Sequence, residues 1–143
     1  MSDPARLAIT LDLTPRTEDI AQVRGGLMAF NEAAVGRTVI QPLALYIRGD
    51  DGRIRGGLVG YTAWDWLYVE LLWLEESLRG AGYGAALLAE AERIARDAGC
   101  VAVRLDTYEF QARPFYERHG YTVYGQLDGY PAGTRQYSLK KML

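Results

Sequence analysis

Cysteine occurs once in the 143 residues, at Cys100, so no internal disulfide can form, and the single histidine, His119, leaves no Cys/His set for a zinc site. No metal is expected, and a lone thiol fits a reducing compartment. No segment approaches the roughly 20 apolar residues that cross a bilayer, and residues 1–6 carry no apolar signal segment. The expectation is an untargeted cytoplasmic protein with no membrane partner. An excess of either charge is also lacking. Sixteen Lys and Arg against eighteen Asp and Glu leave a net charge of −2, and the basic residues are scattered rather than gathered into a stripe that would neutralise phosphates. Nucleic acid is therefore not an expected partner. Repeats, linkers and low-complexity tracts are absent as well.

What is present is an ordinary globular composition, 49% hydrophobic and 24% charged, at a length that fits one domain over residues 1–143. Leu7 to Leu13 alternates apolar and polar residues, as a strand does, until Thr14-Pro15. Ile20, Val23, Leu27, Phe30 and Ala34 then give one apolar helical face from about Glu18 to Ala34, with Gly25-Gly26 as a candidate break into two short helices. Three strand-like runs follow: Leu43 to Arg48, Arg53 to Ala63 and Trp66 to Leu74. The turns between them are Asp50-Asp51-Gly52 and Trp64-Asp65, which predicts an antiparallel meander. The stripe Leu87, Leu88, Ala91, Ile94, Ala95 and Ala98 predicts a helix stopped by Gly99. Val101 to Leu105 reads as a strand and Gln111 to His119 as a short helix ended by Gly120. Tyr121 to Leu127 and Thr134 to Leu139 read as two last strands. The class is mixed α/β (α+β), a sheet with helices on its faces.

Chemistry points first to Arg79-Gly80-Ala81-Gly82-Tyr83-Gly84, just before the strongest helix. Glycines let the backbone approach a ligand closely, and the free amides of a helix start attract anions. A turn built only for tight packing gives the same pattern. A P-loop is excluded because no Lys-Ser or Lys-Thr follows. A dinucleotide fingerprint fits Gly80-Ala81-Gly82-Tyr83-Gly84-Ala85 with Asp106 as the ribose acid. Against it, Glu75 to Arg79 separates the strand from the first glycine, and only 37 residues follow Asp106, too few for a second nucleotide-binding half.

The run from Leu72 through Trp73 and Leu74 to Gly84 resembles the acetyl-coenzyme A motif of the GNAT family of N-acetyltransferases, Q/R-x-x-G-x-G/A, with Arg79, Gly82 and Gly84 in the fixed positions. Ala112-Arg-Pro-Phe115-Tyr116-Glu-Arg-His-Gly120-Tyr121 is similar to the family's A-x-x-x-Y-x-x-x-G-F/Y helix and turn, in the right order, and the likeness covers essentially the whole chain. Within the family it resembles a set of small bacterial acetyltransferases. The resemblance implies the GNAT fold, with a mixed, mostly antiparallel sheet of six to seven strands flanked by helices. It also implies transfer of an acetyl group from acetyl-CoA to an amine. On this reading Arg79, Gly80, Ala81, Gly82, Tyr83 and Gly84 hold the cofactor pyrophosphate, Leu72, Trp73 and Leu74 pair with its pantetheine arm, and Ala112, Phe115 and Tyr116 complete its site. One position departs from the pattern: Glu109 stands where the family often has a cofactor-binding asparagine three residues before the motif alanine.

Tyr116 matches the family's proton donor to the departing thiolate; a core tyrosine is its structural alternative. Glu70 is the candidate base, placed by a period of two on the face of Leu72 and Leu74, where burial would raise its pKa. An exposed Glu70 paired with an arginine, or water as base, is the alternative. His119 suits a helix C-terminal cap. Trp64, Trp66, Tyr68 and Tyr108, with Asp106 and Glu109, are candidates to line the acceptor pocket, and sheet packing accounts for such aromatics equally. The expected acceptor is a small-molecule amine. A non-catalytic acyl-CoA sensor is the rival reading, and homodimerisation is compatible with the fold although nothing in the sequence locates an interface.

Overall fold

The computed structural model describes residues 6–143 and divides them into two compact units, one running to Thr38 and one from Val39 to Leu143. In the first unit, residues 6–16 form no strand, contrary to the expectation for Leu7 to Leu13. Alternation is only half of what a strand requires; the other half is a neighbouring ladder for its backbone groups, and among the described residues of this unit there is none. The segment instead ends in a turn in which the Thr14 amide donates to Asp12 Oδ1 at 2.9 Å. Helix α1 (Thr17–Val35) is continuous through Gly25-Gly26, so the expected break is also absent. Each glycine costs about 1 kcal/mol against alanine but still reaches helical dihedrals, and the flanking turns carry the helix across. Within its own unit the stripe Ile20, Val23, Leu27 and Phe30 has no cover.

The second unit is a six-stranded sheet of order β1-β2-β3-β4-β6-β5. Its strands are β1 (Gln41–Arg48), β2 (Ile54–Ala63), β3 (Trp66–Leu74), β4 (Ala102–Tyr108), β5 (Thr122–Asp128) and β6 (Arg135–Met142). The first three make the expected meander. The turn between β2 and β3 places Trp64 and Asp65 at φ 47° and 60°, the left-handed pair that matches strand twist in a two-residue hairpin. Only β3 and β4 run parallel, joined through helix α2 (Tyr83–Asp97), which is what a parallel crossover requires. Helix α3 (Arg113–Arg118) links β4 to β5.

The core lies between the sheet and α2. Leu87, Leu88, Ala91 and Ala95 of the helix pack with Leu58, Leu67, Val69, Val103, Leu105 and Leu139 of the sheet. Each fully buried leucine contributes about 1.5–3 kcal/mol. Glu92 is the one buried charge on α2. It is held by Lys141 Nζ at 2.6 Å and accepts from the Tyr121 hydroxyl at 3.4 Å.

Two irregularities position the site. The rungs joining β3 to β4 run from Trp66↔Ala102 to Val69↔Leu105 and then stop, so the two strands part like a fork. On the other side of β3, Gly60 pairs with Val69 and Val59 with Leu71, which leaves Glu70 as the extra residue of a β-bulge. The bulge needs Gly60: a Cβ there would collide with the Tyr68 carbonyl oxygen.

Candidate functional site

The fork opens a cavity of about 690 Å³ inside the second unit. One wall is β3, from Val69 to Trp73; the other is Asp106, Thr107, Phe110, Gln111, Ala112 and Tyr116, and Arg79 stands at one end. Because the ladder ends at Val69 and Leu105, the backbone groups beyond it are released from sheet pairing on this side and face the cavity. An extended chain laid there can take up those bonds.

At the Arg79 end, α2 begins with Gly82 in the left-handed conformation, φ 89° and ψ 1°, and the first helical bond runs from the Ala86 amide to the Gly82 carbonyl at 3.0 Å. The amides of Tyr83, Gly84 and Ala85 therefore have no carbonyl one turn back. No side chain caps this end and no acidic residue lies in its first turn. A Cβ at Gly82 would meet nothing within 4 Å, so the space over the turn is open. An uncapped helix start with its partial positive charge fits an anionic group such as a pyrophosphate. Arg79 is fixed beside it, its Nε donating to the Leu74 carbonyl at 3.1 Å.

Tyr116 is only 6% exposed, packed edge-on against Phe115 and Tyr121. Its hydroxyl has no hydrogen-bond partner among the described residues, and burial pushes its pKa up to about 12. A phenol so placed keeps its proton throughout the physiological range and has it free to give.

Glu70 corrects the sequence reading. The bulge breaks the period of two, so burial moves from Leu67 and Val69 to Leu72 and Leu74, and Glu70 itself is exposed rather than buried. It forms no ion pair with any described residue, so the arginine partner of the alternative reading is absent too.

Glu70, Leu72, Trp73, Arg79, Ala112 and Tyr116 thus meet around one cavity. Leu74 and Phe115 do not line it; their side chains lie 3.6 Å and 3.4 Å from where a Cβ on Gly84 would stand and close the packing beneath the turn. Gly80, Ala81, Gly82, Tyr83 and Gly84 lie past the Arg79 end. Glu109 faces away, 3.6 Å from Arg135, in a separate hollow with Asp128 and Thr134. His119 is the C-cap of α3, its ring on Phe115. Trp64, Trp66 and Tyr68 line a shallower depression with Arg104, and Tyr108 stacks on Phe110.

Gln111 and Thr107 were not singled out from the sequence. Gln111 Oε1 accepts from the Thr107 hydroxyl at 3.2 Å and the Tyr108 amide at 3.1 Å, closing the end of β4 over the cavity. Gln111 lies in a turn, where no periodicity marks it, and Thr107 reads in sequence only as an inward strand position beside Leu105, so no sequence signal pointed to them. Among the described residues no three His, Cys, Asp or Glu side chains gather to hold a metal, and no helix is long and apolar enough to cross a membrane.

The mixed sheet is not the parallel sheet that a dinucleotide fold requires. The "Acetyltransferase (GNAT) family" model matches residues 21–121. A blasticidin-S acetyltransferase of Streptomyces morookaense is 42% identical over 105 residues, 73% of this chain and 77% of that protein. An acetyltransferase of Agrobacterium fabrum is 43% identical over 111 residues, 78% of this chain and 81% of the relative. A crystal structure assigned as an acetyltransferase, from Agrobacterium tumefaciens, superposes with a TM-score of 0.91 at 38% identity, covering 96% of this chain and all of the other. The chain belongs to the GNAT family of acetyltransferases and, like them, takes its acetyl group from acetyl-coenzyme A.

Proposed function

We propose that the whole chain acts as one N-acetyltransferase domain that acetylates a primary amine of a small molecule by direct transfer. The observation that carries this reading is the cavity that Tyr116 lines with an unpartnered hydroxyl and at whose end Arg79 stands, with the uncapped start of α2 following Arg79 in the chain. The amides from Gly80 to Gly84 hold the pyrophosphate, with Arg79 adding a positive charge. Leu72, Trp73 and Leu74 offer strand pairing to the pantetheine arm, Ala112 and Tyr116 close the site from the α3 side, and Phe115 supports the glycine turn from beneath.

Acetyl-CoA supplies the thioester. Glu70, directly or through a water, takes a proton from the amine nitrogen as that nitrogen bonds to the carbonyl carbon. As the carbon–sulfur bond breaks, Tyr116 gives its proton to the sulfur and is reprotonated from solvent. The names of similar proteins include acetyltransferases of blasticidin-S and nourseothricin, which supports a small-molecule acceptor over a protein tail.

Thiol release with a panel of amines tests the reading. Tyr116→Phe should lower kcat by about 100-fold or more with KM for acetyl-CoA nearly unchanged. Unchanged turnover would make Tyr116 a core residue only, and acetylation confined to peptide substrates would overturn the small-molecule acceptor.

A further inference from the structure

We infer that the acceptor carries a second cationic group besides the amine that is acetylated, and that Asp106 receives it. The last rung of the fork is Val69↔Leu105, so Glu70 and Asp106 are the first residue past it on each strand. They bring two carboxylates to the apex of one cavity. Neither is in an ion pair with a described residue. A second observation in the same cavity points to a ligand: Tyr116, only 6% exposed as a residue, lines it with a hydroxyl that has no partner among the described residues.

Asp106 is held in place. Its Oδ1 accepts from the Ser138 hydroxyl at 2.6 Å and its Oδ2 from the Tyr68 hydroxyl at 3.4 Å. Burial, and then the charge of Asp106, raise the Tyr68 pKa, which keeps that phenol a donor. By strand alternation Asp106 stands on the opposite sheet face from buried Leu105 and Thr107, away from α2, so an acceptor meets it from the side opposite the glycine turn.

This inference rests on the amine-transfer reading above and adds a requirement to it. The reacting nitrogen must be neutral when it attacks, so it cannot also neutralise a carboxylate. One carboxylate, Glu70, can take up the proton it sheds; the other still faces the acceptor. A molecule with a single amine leaves Asp106, exposed and held only by neutral hydroxyls, without a cationic partner. A second ammonium or guanidinium about 5 Å from the first, the spacing of neighbouring strands, or somewhat farther because these strands diverge, satisfies it. Phe110, exposed on the same cavity and stacked on Tyr108 at 5.3 Å, offers a ring face to a planar cation.

The test separates binding from transfer. Putrescine, agmatine, butylamine and γ-aminobutyrate are titrated calorimetrically into the protein saturated with coenzyme A, and each is then assayed for thiol release with acetyl-CoA. Putrescine and agmatine should bind about tenfold or more tighter than butylamine, and γ-aminobutyrate weakest. In Asp106→Asn that preference should fall below about threefold with acetyl-CoA affinity retained, and Ser138→Ala, which frees the carboxylate without removing it, should reduce the preference by a smaller factor. Equal binding of mono- and dications by the wild type, or a preference that survives Asp106→Asn, would overturn the inference even if every amine is acetylated. Preferential dication binding without transfer to any amine would instead uphold the cation site and overturn the transfer reading.

Discussion

The two ends of α2 are built to opposite purposes. At its C-terminus every nearby donor is used: Ala98 donates to Ile94, Gly99 to Arg96 and Cys100 to Ala95, all within 3.0 Å, and Arg93 bridges Glu90 and Asp97 along the last turns. At its N-terminus a left-handed glycine begins the helix, with no cap and no acidic residue. A helix that needed only to pack would be closed at both ends. Leaving the first amides open costs stability unless something else supplies the acceptors, and the open end is the one that follows Arg79, which stands at the end of the cavity.

Substitutions at the two ends should therefore fail differently. Gly82→Val should weaken acetyl-CoA binding by about 100-fold or more, because a branched side chain fills the space over the turn, while the left-handed backbone costs only about 1–2 kcal/mol of fold stability. Calorimetry and thermal melts on one sample read both. Gly60→Ala, outside the helix, should lose about 2–3 kcal/mol and disturb the bulge that presents Glu70, since its Cβ has no room against the Tyr68 carbonyl.

Tyr116 gives an effect of intermediate size that depends on pH. Its folded pKa of about 12 lies above the ordinary tyrosine value, so its contribution is complete below pH 10. From pH 10 to 12 the unfolded chain ionises while the folded one resists, and wild-type stability should fall relative to Tyr116→Phe by up to about 1.4 kcal/mol per pH unit. Parallel denaturation curves of the two proteins from pH 8 to 11 would reveal it; a constant difference would mean that the phenol is not desolvated. The smallest effect belongs to the closed end of α2. Gly99→Ala should cost about 1 kcal/mol, from its φ of 85°, with acetyl-CoA affinity unchanged.

These contrasts track what the sequence made legible. The glycine turn, the apolar stripe of α2, each strand of the meander and the Tyr116 helix are local patterns, each written within a dozen residues. The meander strands appear within two residues of the expected bounds and α2 ends within two residues of the expected stop at Gly99; the helix carrying Tyr116 is shorter, starting at Arg113. The state of Glu70 was not legible, because the bulge arises from the register of β3 against β2 and from the space denied at Gly60, a glycine with no conspicuous motif around it. Leu7 to Leu13 misled for the converse reason: its alternation is real, but a strand is a property of two segments. Asp106 was noticed as a candidate ribose acid and pocket residue, yet its place opposite Glu70 depends on where the parallel ladder stops.

The central claim is that the open start of α2 receives the anionic part of acetyl-CoA. Amide NMR of the wild type during titration with acetyl-CoA tests it most directly. Resonances from Gly80 to Ala85 should shift strongly and those of Ala98 to Cys100 hardly at all; saturable binding that leaves the Gly80 to Ala85 amides unmoved would contradict it.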